Sequence, residues 1–138
     1  MKRLVVDVLP GEYTIARMPV GTAPPAALFE LAGSALVSVT RTPDEISVVC
    51  PSDVAPAAEQ AHEGWRLLTV RGPLEFTLTG IMASMASALA AAGVSLFALS
   101  TYNTDHVLVK ATDLGRAIVA LTEAGHEVHE PAGPPPRN

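Results

Sequence analysis

Residues 78–109, LTGIMASMASALAAAGVSLFALSTYNTDHVLV, carry three patterns in one run. Ile81, Met85, Leu89 and Ala92 recur at the spacing of one helical face, and Gly93 follows where a helix closes. VSLFALS (94–100) then has the composition of a strand, and HVLVKA (106–111) that of its partner. Six consecutive polar residues, Ser100, Thr101, Tyr102, Asn103, Thr104 and Asp105, separate the two. Asn103 alone is enough to reverse a chain. The length of the polar run therefore points to a turn that also presents hydrogen-bonding groups.

Outward from this core the pattern continues. WRLLTVRG (65–72) reads as a strand and PLEFTLTG (73–80) as the loop leading into the helix. Thr112 or Asp113 caps a second helix with Leu114, Ile118 and Leu121 on one face, ending at Gly125. HEVHE (126–130) is a short last strand, and the tail PAGPPPRN (131–138) is expected to be disordered. In the first half, RLVVDVL (3–9) and YTIARM (13–18) read as strands separated by a turn at Pro10, Gly11 and Glu12. Pro24 and Pro25 suit the first turn of a helix bearing Leu28, Leu31 and Ala32 on one face. LVSVTR (36–41) and ISVVC (46–50) are strands around the turn TPDE. Ser52 or Asp53 caps an Ala-rich helix to about His62, terminated by Gly64.

Each half thus reads strand, helix, strand, strand, helix, with a further strand in the second. This is the order of a ferredoxin-like βαββαβ unit and predicts an α+β fold. Two tandem modules, residues 1–63 and 64–130, are expected, with antiparallel sheets and helices on one face. A slide of about sixty positions places Thr40 on Ser100, Glu45 on Asp105, Val49 on Val109, Ser52 on Thr112 and Asp53 on Asp113.

Composition excludes several function classes. The 138 residues are 49% hydrophobic and 17% charged, enough for a core, and with only 4% aromatics that core is built of Ala, Val and Leu. The net charge is -5 and no basic cluster occurs, which argues against nucleic acid and anionic membrane surfaces as partners. The apolar helix around 81–92 is too short to span a bilayer. The N-terminal apolar run is broken by Asp7 and Pro10, so no signal peptide is read and a cytoplasmic location is expected. Cys50 is the single cysteine and reads as a buried apolar residue rather than half of an internal disulfide.

The stretch 78–109 resembles the second half of small bacterial tandem ACT-domain proteins. These are similar to the ACT pairs of CASTOR-type arginine sensors and, more distantly, to aspartate-kinase regulatory domains. The resemblance rests on Thr79, Gly80 and Ile81 leading into the helix, on Ala92 to Ser95 leading into the strand, and on the STYNTD turn before HVLV. It is strong over about 64–130 and weaker over the first half, where TRTPDEISVV replaces STYNTDHVLV. It implies regulatory binding of a small molecule, commonly an amino acid, between the loop at 74–81 and the strand end at 100–105.

The residue chemistry suits such a role. A glycine-led helix start offers unpaired N–H groups and a favourable dipole to a carboxylate, with Gly80 leaving room and Thr77 and Thr79 adding hydroxyls. An ammonium needs an acceptor, which the Asp105 carboxylate or carbonyls near Thr101 supply. Phe76 and Ile81 are candidates for an apolar wall, Tyr102 for a packing and donor contact, and Asn103 for the turn itself. The candidate ligand-binding residues are therefore Phe76, Thr79, Gly80, Ile81, Thr101, Tyr102, Asn103 and Asp105. TRT at 40–42 makes a matching site in the first half doubtful.

No catalytic residue, metal ligand or cofactor is read. His126 and His129 are three apart on a strand and point to opposite faces, and His62, His106, His126 and His129 read as solvated or capping residues. Neither GTAPP nor GPLEFTLTG has a phosphate-loop pattern. The expectation is a non-catalytic regulatory protein that binds an amino acid or similar metabolite, as a homodimer, with a partner enzyme downstream. The alternative is a ligand-free interaction module that oligomerises and regulates a partner enzyme.

Overall fold

The structure is a computed structural model of the chain and describes residues 3–31, 33, 35–74 and 80–131. Among these described residues eight strands form one sheet: β1 (Val5–Val8), β2 (Tyr13–Met18), β3 (Ser38–Arg41), β4 (Ile46–Pro51), β5 (Gln60–Val70), β6 (Leu96–Ser100), β7 (Asp105–Lys110) and β8 (Glu127–His129). Two α-helices, α1 (Ile81–Ala91) and α2 (Leu114–Glu123), lie between strands of the second half.

The spine of the sheet is β5. Its first half pairs antiparallel with β2, from Tyr13↔Trp65 to Arg17↔Gln60, and its second half with β1, from Val6↔Val70 to Val8↔Leu68. β1 and β2 therefore run in line along one edge of β5. The Pro10–Gly11–Glu12 stretch is an interruption in one strand line rather than a reversal. Pro10 has no N–H for the ladder, and Gly11 takes φ 83°, so the chain loops out and rejoins at Tyr13. The other edge of β5 holds β7, from Trp65↔Lys110 to Thr69↔His106, and β6 pairs with β7.

Two strand groups share this spine. β3, β4, β2 and β5 lie in that order, and β6, β7 and β5 form the other side, with β1 placed between β5 and β8. Both orders are those of a βαββαβ unit, but the second unit takes the chain's first strand into its sheet.

Alternation in the strands sorts side chains to two faces. Val6, Val8, Leu68, Val70, Val107 and Val109 meet Ile81, Met85 and Leu89 of α1 and Ala117 and Leu121 of α2. Each of these Val, Leu, Ile and Met side chains contributes about 1.5–3 kcal/mol by its burial. Met18, Ile46, Val48 and Cys50 pack with Leu28 in the first half. The opposite face gathers Tyr13, Val49, Leu67 and Leu108, bordered by Trp65, Phe97 and Leu99.

The helices expected in the first half are single 3-10 turns, Ala26–Glu30 and Ser52–Val54. The Ala-rich stretch 52–62 is not a helix: Pro56 has no N–H to give an α-helix, and Gln60 onward pairs with β2. Gly64, φ 79°, is no helix terminator. It lies in a bulge of β5, where Glu63 and Gly64 together stand opposite Thr14. The expected disordered tail 131–138 lies, after Pro131, outside the described residues.

Candidate functional site

The N-terminus of α1 faces the β6–β7 turn across a cleft of ≈ 360 Å³. Gly80 caps the helix in the left-handed conformation, φ 79° and ψ 6°, and contributes no side-chain cap. A side chain there would meet nothing within 4 Å, so glycine is needed for its φ and not for space. The carbonyl of Gly80 accepts the Ser84 N–H at 2.8 Å, which starts the helical ladder. The first turn carries no acidic residue, so its positive end is not neutralised from within the helix.

The facing wall is the turn. Thr101 N–H donates to the Thr104 carbonyl at 2.9 Å, and the Thr101 hydroxyl donates to the same oxygen at 3.1 Å. The Ser100 hydroxyl donates to Asp105 Oδ1 at 2.5 Å. Asp105 shares the helix-side face with Val107, so its carboxylate looks toward α1. The turn is also tied to the loop that leads to α1. Leu74 N–H donates to the Asn103 carbonyl at 2.7 Å, and the Thr104 hydroxyl donates to the Val70 carbonyl at 2.5 Å. Gly72 permits this approach: a Cβ there would lie 3.0 Å from the Asn103 oxygen and 3.1 Å from the Thr104 Cβ.

The cleft gathers Gly80, Ile81, Thr101, Tyr102, Asn103 and Asp105 from the sequence-derived set. Phe76 and Thr79, with Thr77, lie outside the described residues. Tyr102 is 79% exposed and stands at the rim. Leu74, Met82, Ala83, Ser100 and Thr104 also line the cleft. Asn103 contributes its backbone carbonyl to hold the loop, in keeping with a turn former.

Two histidines depart from the solvated or capping expectation. His106 is 8% and His126 4% exposed. His126 Nδ1 accepts the Leu4 N–H at 3.2 Å, so the proton sits on Nε2, which donates to the Ser84 hydroxyl at 3.1 Å. His106 lies behind the turn, with Thr69 Oγ1 2.9 Å from Nδ1 and Thr101 Oγ1 3.3 Å from Nε2. Burial pushes both imidazoles below the usual 6.5; at His106 the Asp105 charge opposes that effect. The sequence signal for His106 was its place in alternation: it falls on the same strand face as Leu108, which is fully buried.

Among the described residues, no three His, Cys, Asp or Glu side chains are grouped so as to hold a metal ion. Nor is any helix long and apolar enough to cross a membrane. Cys50 is buried, and burial, with Asp53 adding to it, pushes its thiol up and away from reactivity.

Residues 60–123, from the first residue of β5 to the last of α2, match the model of the ACT domain. A crystal structure of protein Atu0741 from Agobacterium tumefaciens is 36% identical to the chain, covers 96% of it and 97% of itself, and superposes with a TM-score of 0.84.

The chain carries an ACT domain over residues 60–123.

This ACT-domain chain is also 40% identical over 72 residues to the human "Cytosolic arginine sensor for mTORC1 subunit 1", and 38% identical over 78 residues to its mouse counterpart. Those matches cover 51% and 56% of the chain but only 22% and 23% of the relatives' own length. The fold extends to the regulatory subunit of aspartate kinase from Thermus thermophilus, with a TM-score of 0.60 at 16% identity, covering 87% of this chain and 96% of that one.

Proposed function

We propose that the chain is a non-catalytic regulatory protein that binds a free amino acid in the cleft between α1 and the β6–β7 turn. The observation that carries this reading is the opposition of two ends in one cleft. A helix start with a glycine cap and no acidic first turn stands on one side, and the Asp105 carboxylate on the other. An amino acid has the matching charges. Its carboxylate meets the N–H groups at Ile81, Met82 and Ala83, and its ammonium meets Asp105. Leu74, Ile81 and Met82 supply the apolar wall, Thr101 and Asn103 the polar edge, and Tyr102 the rim.

Family and relatives support the same direction. The ACT match falls on the half that holds the cleft, and the human relative is named an arginine sensor. L-Arginine is accordingly the first ligand to try. We read residues 1–63 and 64–130 as two ACT modules, with the strand at 5–8 lent to the second. The working form is a cytoplasmic homodimer, in which pairing covers free edges such as those of β3 and β6. Ligand binding favours one placement of modules and thereby acts on a partner enzyme.

The test is thermal denaturation of the purified protein with L-arginine and then the other amino acids. A ligand at a hundred times its dissociation constant adds about 2.7 kcal/mol to stability. A shift produced by one or two amino acids and lost in Asp105→Ala supports the reading. No shift with any of them rejects it in favour of a ligand-free interaction module.

A further inference from the structure

We infer that His106 is the positioning residue of the ligand-cleft turn, and that its imidazole links occupancy of the cleft to proton release. The inference deepens the amino-acid reading and rests on it for the ligand; the link between imidazole and turn stands on the geometry alone.

The geometry is a short relay. The Thr101 hydroxyl uses its one proton on the Thr104 carbonyl, at 3.1 Å. Toward His106 Nε2, at 3.3 Å, Thr101 Oγ1 can therefore only accept, so Nε2 carries the proton. Nδ1 is then the acceptor for the Thr69 hydroxyl, at 2.9 Å. One buried ring thus joins the central strand β5 to the first residue of the turn. The turn in turn holds the loop before α1 through the Asn103 carbonyl and the end of β5 through the Thr104 hydroxyl. The turn wall of the cleft hangs on this connection.

A second proton on the ring has defined consequences. Nδ1 stops accepting, and Thr69 must rotate its hydroxyl to present a lone pair. A positive charge also appears one residue from Asp105, whose carboxylate is the proposed seat of the ligand ammonium. The charged surroundings are few. On β7 the charge acting on His106 is Asp105. Its β5 neighbour is Thr69, and its β6 neighbour is Leu99, beside Thr101. One strand further, on β1, Asp7 lies opposite Thr69, but it is neutralised by a two-point pair with Arg71, at 2.7 and 3.0 Å. His129 stands beyond it on β8. The imidazolium and the ligand ammonium therefore compete for one carboxylate. Binding of a cationic group expels the proton, and acid weakens binding.

The experiment follows ring and backbone signals by NMR across pH 8 to 5 in the ligand-free protein, then repeats L-arginine titrations over the same range. The amides of Thr101, Asn103 and Thr104 are expected to move with the midpoint of the His106 ring. His106→Gln keeps a donor toward Thr101 but cannot titrate, and its turn amides should stay flat. Thr69→Val keeps the strand and the ring but removes the donor to Nδ1, so the midpoint should rise. L-Arginine affinity should fall roughly threefold to tenfold from pH 8 to 5 in the unaltered protein and much less in His106→Gln. Turn amides that ignore the ring, or a midpoint unmoved in Thr69→Val, overturn the inference. Turn amides that follow the ring support it whether or not L-arginine binds, which separates its failure from that of the ligand reading.

Discussion

The two hairpins of the sheet, β3–β4 and β6–β7, turn by the same hydrogen bond and end in different chemistry. Thr42 N–H donates to the Glu45 carbonyl at 2.9 Å, as Thr101 N–H does to Thr104 at 2.9 Å. The structural shift between the hairpins is therefore 59 positions, not sixty, and the counterpart of Asp105 is Ile46, not Glu45. Ile46 is 4% exposed in an apolar cluster, whereas Asp105 opens on a cleft. The elements opposite the hairpins differ too. The first half offers a 3-10 turn behind Pro25, and the second an eleven-residue helix behind Gly80. One backbone plan has been kept twice, and among the described residues the hairpin carboxylate that opens on a cleft belongs to the second hairpin.

The comparison breaks most sharply at Ile46. Ile46→Asp copies the second hairpin into the first and leaves a carboxylate among Met18, Val48 and Cys50. It should destabilise by about 4 kcal/mol in urea unfolding. The reverse change, Asp105→Ile, should leave stability within about 0.5 kcal/mol while removing amino-acid binding. A mild Ile46→Asp would show that the first hairpin also tolerates a charge. Helix anchoring is the next largest difference. Leu89→Ala, at a fully buried position of α1, should cost about 3 kcal/mol by the same measurement. Leu28→Ala, in a smaller cluster, should cost closer to 2 kcal/mol. Equal losses would mean that the 3-10 turn does as much packing work as the helix.

Much of this contrast was legible beforehand. The 81–92 periodicity and the strands around the STYNTD turn came from the spacing of apolar residues and one polar run, and the place of a site between them from the family resemblance. The first half was harder for physical reasons. Gln60 to Glu63 are exposed, so no alternation marks them as strand, and only pairing with β2 decides their state. Gly64 has a positive φ in a bulge, which in sequence looks the same as a helix terminator. Pro10 and Gly11 signal a turn, yet the chain resumes its direction because β5 is long enough to pair with both β1 and β2. The burial of His106 and His126 depends on partners more than thirty residues away, Thr69 for one and Leu4 and Ser84 for the other.

Smaller effects sharpen the picture. Gly80→Ala should cost about 1 kcal/mol of stability from its φ alone, since nothing crowds a Cβ there. A much larger loss would point to a contact across the cleft. Acid should weaken the fold through the buried histidines. Both are held below 6.5, so between that value and their folded-state values the unfolded chain binds more protons than the native one. Stability is therefore full above about pH 6.5 and declines as pH falls below it. Replacing His106 and His126 together by Gln should flatten this part of the stability profile, and an unchanged slope would assign it to other groups.

An amino-acid site built once has a stoichiometry that calorimetric titration reads, with the amino acid that stabilises the protein as titrant. One molecule should bind per chain, with affinity reduced by about 1–3 kcal/mol in Asp105→Ala and unchanged in Glu45→Ala. Two molecules per chain, or full affinity in Asp105→Ala with the fold intact, would contradict it.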